Sequence, residues 1–287
     1  MRNIDENTIT GEVISRHQDA QNPRLEEVMT SLVRHLHDFA REVKLTEAEW
    51  AKGIQFLREA GDITNDRRQE FILLSDTLGL SMLVTAQNQR KPEGCTESTV
   101  FGPFHVEGAP VFEHGEDIAN GAVGEPCYVR GRVVDRDHRG VANAAIEVWQ
   151  ADAEGFYDVQ RAPEGEQRAR GNFKSDATGA FHFRSILAEA YPIPHDGPVG
   201  KMLRALGRHP WRPAHLHFRI SAPGYQTLVT HVFRDGGKYL DSDAVFGVRS
   251  SLIAKWVRHE PGPAPGGTTS AGPFYTLDFD FVLANVA

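Results

Sequence analysis

A chain of 287 residues with a formal charge of −8, 40% hydrophobic and 24% charged residues, has room for one large domain or two modest ones and the balance of an ordinary globular protein. With no run of Lys or Arg, the charge argues against sequence-independent binding to nucleic acid or to anionic lipid surfaces, which needs a positive patch. Two cysteines, Cys95 and Cys127, cannot build a disulfide framework, the opening MRNIDENTIT lacks a secretion signature, and no apolar stretch approaches a membrane span, so a cytoplasmic protein acting on small molecules is expected.

The first third reads as helix. From Pro23, residues Leu25, Val28, Met29, Leu32, Val33, Leu36, Phe39, Ala40 and Val43 recur at three- and four-residue steps and form an apolar stripe. Thr46 followed by Glu49 is a capping-box start, with Gly61 as a stop. A third helix is expected from Asp66 to Gln89. After residue 92 glycine and proline become frequent and apolar residues alternate with polar ones. The segments 128–135, 145–152, 179–186, 214–221, 227–234 and 274–283 read as strands separated by turns, which indicates an antiparallel β-sandwich. The expected organisation is a helical region, 1–92, followed by a mainly β domain, 93–287.

Within that β region, RPAHLHFRI (212–220) places His215 and His217 on one strand. Residues two apart share a face, roughly 6–7 Å apart at Cα, so two imidazoles can converge on one ion. The residues alone leave the completion open. A two-histidine, one-carboxylate ferrous site needs an acid that does not occur between His217 and Asp235. A three-histidine zinc site recruits His231, which lies opposite His217 if the turn centres on Gly224. Tyr157, in EGFYDVQ, and Tyr191, in the proline-bracketed AYPIPHDGPVG, are a third source of donors.

The blocks FGPFHVEGAP (101–110), IEVWQADAEGFYD (146–158), AYPIPHDGPVG (190–200) and HPWRPAHLHFRISAPGY (209–225) together resemble the intradiol ring-cleaving catechol dioxygenases, in that family's order and over nearly the whole chain. The resemblance implies a transthyretin-like sandwich holding a non-haem Fe(III), with Tyr157, Tyr191, His215 and His217 as ligands and Arg212 stabilising charge on the bound substrate. These donor types suit a hard, highly charged ion, and a ferric ion with two phenolates and one hydroxide is neutral, which avoids an uncompensated buried charge. The resemblance further implies that Tyr191 leaves the metal when substrate binds.

His231 stands where catechol-cleaving relatives commonly carry Gln, and the run LVTHVFRDGGKYLDSDAVFGVRSSL (228–252) resembles the hydroxyquinol-cleaving subgroup. That likeness implies O2-dependent opening of 1,2,4-trihydroxybenzene, with catechol or chlorocatechol as alternative substrates and aromatic-compound degradation as the setting. By position, Leu73, Asp76, Val100, Gly102, Pro103, Phe104, Ile193, Pro194 and Val245 line the ring pocket, and Asp76 is expected to accept from the third hydroxyl. His231 is expected near the substrate or the oxygen on the metal. Family members dimerise through their N-terminal helices, and some hold a phospholipid there; the stripe from Leu25 to Val43 offers such a surface. Two readings compete. A zinc hydrolase using His215, His217 and His231 leaves both tyrosines unexplained, and a metal-free binding sandwich needs none of these ligands.

Overall fold

Asn22 opens the first long helix by accepting from the backbone N–H groups of Arg24 and Leu25, with Pro23 at the first helical position, where its missing N–H costs nothing. The computed structural model describes residues 3–65, 68–161 and 166–286. Asp66, the expected start of the third helix, lies outside the described residues, as do the end residues Met1 and Ala287 of the two expected regions. The chain divides into two compact units, Met1–Glu59 and Ala60–Ala287.

The first unit holds α1 (Ile9–Ser15), which the sequence pattern did not predict, α2 (Pro23–Glu42) and most of α3 (Glu47–Ile63). The capping box is formed: Thr46 Oγ1 accepts from the N–H of Glu49, and Glu49 Oε2 accepts from the N–H of Thr46 at 2.9 Å. Gly61 does not stop α3, which runs two residues further. In the second unit the single expected helix is two, α4 (Glu70–Thr77) and α5 (Leu80–Asn88), because Gly79 sits between them in the left-handed region at φ 76°.

The strands follow: β1 (Pro126–Val134), β2 (Ala145–Trp149), β3 (Arg170–Lys174), β4 (Ala180–Ile186), β5 (Tyr191–Pro192), β6 (Trp211–Arg212), β7 (His215–Ser221), β8 (Leu228–Arg234), β9 (Ile253–Ala254), β10 (Trp256–His259), β11 (Gly262–Pro263), β12 (Thr269–Ser270), β13 (Phe274–Asp278) and β14 (Phe281–Val282). Short helices α6 (Asp158–Arg161) and α7 (Pro198–Ala205) interrupt them. One sheet runs β3-β2-β7-β8-β9; the other runs β10-β13-β1-β14, with β4 paired to β1. The sheets are mixed: β1 is parallel to β13 and β14, and β8 to β9, while the other pairs are antiparallel.

The core lies between the two inner faces. From the first sheet come Ile146, Val148, Leu216, Phe218 and Val232; from the second, Val129, Phe181, Phe183, Leu277 and Phe281. Because side chains alternate along a strand, the residues of β7 that alternate with Leu216, Phe218 and Ile220 point away from this core, and they are His215, His217 and Arg219.

Candidate metal centre

The turn after β7 fixes what stands beside the histidines. The β7–β8 register pairs His217 with His231 and His215 with Phe233, so it centres on Gly224 as the sequence suggested. On the other side β2 places Trp149 opposite His217, and the two rings stack at 4.7 Å with planes 16° apart. The outer face of this sheet is covered rather than wet: His215, His217 and His231 are at most 2% exposed. Tyr191 arrives on β5, paired to Arg212 of β6, and Tyr157 follows the turn that opens at Asp152, whose carboxylate accepts from the N–H groups of Glu154 and Phe156.

These elements bring donor atoms to one point. His215 Nδ1 is 2.7 Å from the carbonyl of Pro213, which only accepts, so Nδ1 carries the ring proton and Nε2 keeps its lone pair. That Nε2 stands 3.1 Å from His217 Nε2, which in turn is 3.0 Å from Tyr157 Oη. Arg212 Nη1 lies 3.4 Å from both His215 Nε2 and Tyr191 Oη. Around an ion with ligands at about 2.0–2.1 Å, donors at right angles stand about 3 Å apart. The imidazole and phenol spacings match that value, so the donor set fits a metal.

Electrostatics agree. Burial pushes His215 down to about 3 and His217 and His231 well below their ordinary range, so these rings are neutral and can ligate. Burial, reinforced by the neighbouring Tyr191, pushes the Tyr157 phenol well above 10, a cost that a bound cation reverses. Burial also opposes the charge of Arg212, but Asp243 outweighs it and holds the guanidinium ionised. Asp243 bonds Arg212 Nε at 3.1 Å and Nη2 at 3.3 Å, and it also accepts from the N–H of Gly247 at 2.9 Å. Its own carboxyl is disfavoured by burial yet held below the usual range by Arg212.

His215, His217 and His231 offer ligand atoms within 4.8 Å of one another. Yet His231 Nε2 is 2.9 Å from His217 Nδ1, the nitrogen opposite the one that faces His215 and Tyr157. An ion between the two Nε2 atoms has His231 behind the His217 ring.

The expected pocket residues divide into two groups. Leu73, Pro103, Phe104, Ile193 and Pro194 line one cleft of about 400 Å³, and Phe104 stacks on Tyr157 with ring centres 4.4 Å apart. Asp76, Val100, Gly102 and Val245 do not line this cleft. Val245 donates its N–H to Asp243, Gly102 packs on His217, and Asp76 is buried within the field of Arg212 and Asp243. Burial raises the Asp76 carboxyl, against the pull of Ser81 and Arg212.

Sequence reasoning missed three supports of the site: Asp243, Thr99, and the buried pair Arg170–Asp158, in which Arg170 Nη1 also bonds the carbonyl of Phe104. Only the Asp158 next to Tyr157 gave any signal in the sequence.

The family model described as "Dioxygenase" matches residues 100–285, and "Catechol dioxygenase N terminus" matches 22–96. The chain is 64% identical over 283 residues to a 6-chlorohydroxyquinol 1,2-dioxygenase of Cupriavidus pinatubonensis, covering 99% of each chain. It is 52% identical over 280 residues to a hydroxyquinol 1,2-dioxygenase of Nocardioides simplex, covering 97% of this chain and 95% of that one. Its fold is similar to the crystal structure of hydroxyquinol 1,2-dioxygenase from Pseudomonas putida DLL-E4, with TM-score 0.91 and 46% identity over 98% of this chain and 99% of that one.

Proposed function

We propose, from the premise that the chain belongs to the catechol dioxygenase family, that it opens the ring of hydroxyquinol between the two adjacent hydroxylated carbons, combining it with O2 to give 3-hydroxy-cis,cis-muconate, the enol form of maleylacetate. The observation that carries this reading is the convergence of the Tyr157 phenol and two imidazole Nε2 atoms at 3.0 and 3.1 Å, beside Arg212 and a cleft lined by Leu73, Phe104 and Ile193. Such a reaction serves the degradation of aromatic compounds in the cytoplasm. No helix among the described residues is long and apolar enough to cross a membrane.

Tyr157, Tyr191, His215 and His217 are the residues that hold the non-haem Fe(III) of this reading. When bound, that ion supplies the positive charge that ionises an aromatic diol and activates its ring toward oxygen. The protein's own groups do the rest. Tyr191, as a phenolate held by the ion, would take one proton from a substrate hydroxyl at Oη, and Arg212, 3.4 Å away and aligned by Asp243, would stabilise the negative charge that remains. The cleft orients the flat ring by apolar contact, and the acceptor this reading assigns to the additional hydroxyl is Asp76, which lies off the cleft wall on the side of Arg212 and Asp243. Tyr157, walled by Phe104, stays in place. His231 supports the centre from behind His217.

The same reading extends to assembly. Leu25, Val28, Met29, Leu32, Leu36 and Phe39 of α2 are 37–54% exposed, an apolar stripe suited to a homodimer through the N-terminal helices, and the family likeness extends this reading to a phospholipid held there. Light scattering of the purified protein and mass spectrometry of its organic extract test the two statements separately.

The decisive experiment is the visible spectrum of purified, iron-loaded protein before and after anaerobic addition of hydroxyquinol. A broad phenolate-to-iron band that shifts with substrate is expected, together with loss of the band in Tyr157→Phe. A colourless protein that retains zinc would transfer the site to His215, His217 and His231.

A further inference from the structure

Behind His217 the hydrogen-bond chain continues on the side away from the point where His215 Nε2, His217 Nε2 and Tyr157 Oη converge. His217 Nδ1 is 2.9 Å from His231 Nε2, and His231 Nδ1 is 3.0 Å from Thr99 Oγ1. All three side chains are buried, with exposures of 1%, 0% and 3%. Their partners are therefore one another rather than water. The backbone around Thr99 is anchored to the same strand as His231: the Thr99 N–H donates to the carbonyl of Val229, and Thr230 Oγ1 donates to the carbonyl of Glu97 at 2.7 Å.

A chain of two neutral imidazoles and a hydroxyl has two proton arrangements. In one, Thr99 donates to His231 Nδ1, His231 Nε2–H donates to His217 Nδ1, and the His217 proton sits on Nε2. That proton faces His215 Nε2 and Tyr157 Oη, where it blocks ligation. In the other, every bond is reversed: His217 Nδ1–H donates to His231 Nε2, His231 Nδ1–H donates to Thr99 Oγ1, and the His217 Nε2 lone pair faces the lone pair of His215 Nε2, 3.1 Å away. Two facing lone pairs repel unless a cation lies between them.

We propose that Thr99 and His231 are positioning residues, a relay that supplies the acceptors needed to keep the His217 proton on Nδ1 and its Nε2 free for the metal. The inference rests on the metal-centre reading above and concerns two residues that do not line the substrate cleft. Thr99 terminates the relay because its hydroxyl can accept from His231 Nδ1–H. Valine, of the same shape, cannot, and would strand that N–H in a dry interior. Leucine at 231 removes the acceptor of His217 itself, whereas glutamine offers an amide oxygen in its place.

The test is ferric-ion affinity, read by competition with a chelator, together with the energy of the phenolate-to-iron band, in the full-length protein and its Thr99→Val, Thr99→Ser, His231→Leu and His231→Gln variants. Losing the partner of a ligating imidazole costs roughly 10–100-fold in metal affinity. The expected result is a loss of that size in Thr99→Val and His231→Leu, with a displaced band, and affinity restored toward wild type in Thr99→Ser and His231→Gln. Should one variant fail to fold, the contrast at the other position decides alone. Equal affinities in a wild type and variants that all bind iron would overturn the relay while leaving the functional reading intact. A wild type that takes up no iron would overturn both.

Discussion

At the scale of single residues, the charge in the site is organised by a pair that the sequence did not announce. Arg212 and Asp243 are 3% and 2% exposed at their side chains, and breaking a buried pair by neutralising one member leaves the other charge uncompensated. Asp243→Asn is therefore expected to cost on the order of 3 kcal/mol in urea unfolding and to lower kcat more than it raises KM. Asp76 carries a different expectation, discrimination by hydroxyl count. A positioned acceptor left unpaired penalises a ring that lacks the third hydroxyl, so Asp76→Asn should reduce the kcat/KM ratio of hydroxyquinol over catechol by roughly 10–100-fold. An unchanged ratio would remove Asp76 from that role. The H-x-H pair was legible because strand periodicity alone puts both rings on one face. Asp243 and Thr99 were not, since their partners lie 31 and 132 residues away along the chain and only the folded sheet brings them together.

At the scale of elements, β7 separates structure from chemistry by its pleat, with Leu216, Phe218 and Ile220 in the core and His215 and His217 on the other face. This much could be read from alternation, and the register with β8 from the position of Gly224. The parallel pairing of β13 with β1 could not, because strands joined over so long an interval leave no turn signal between them. Nor could the break at Gly79, whose left-handed backbone a helical apolar pattern does not reveal. A second glycine carries a sharper consequence. Gly155 lies at φ 83°, and a Cβ there would stand 2.9 Å from Cβ of Tyr191. Gly155→Ala combines a left-handed backbone cost of roughly 1–2 kcal/mol with a push on Tyr191. It is expected to lower the melting temperature and to weaken the phenolate-to-iron band. A melting temperature that falls with the band intact would assign Gly155 to the backbone alone.

At the scale of the whole molecule, building a metal centre inside a sheet makes the metal-free protein sensitive to acid. His215, His217 and His231 are buried without charge, and all three are held below the ordinary histidine value of about 6.5, His215 down to about 3. The unfolded chain therefore binds more protons than the folded one below about pH 6.5, so stability rises with pH in that range. The contribution is fully present above 6.5 and is lost progressively as pH falls toward the folded values. Each histidine contributes a slope of about 1.4 kcal/mol per pH unit once its unfolded form is fully charged. Asp243, held below the usual carboxylate range, adds to the loss only under more acidic conditions. Asp76, raised, opposes it, because its contribution is present below the ordinary carboxylate value and disappears as pH rises through the folded one. Between pH 6 and 5 the three imidazoles dominate. Urea unfolding of metal-free protein should thus show stability falling steeply from pH 6.5 to 5. His231→Gln, with one buried imidazole fewer, should show a slope shallower by roughly one third. A slope unchanged by that substitution would place the acid sensitivity outside the metal centre.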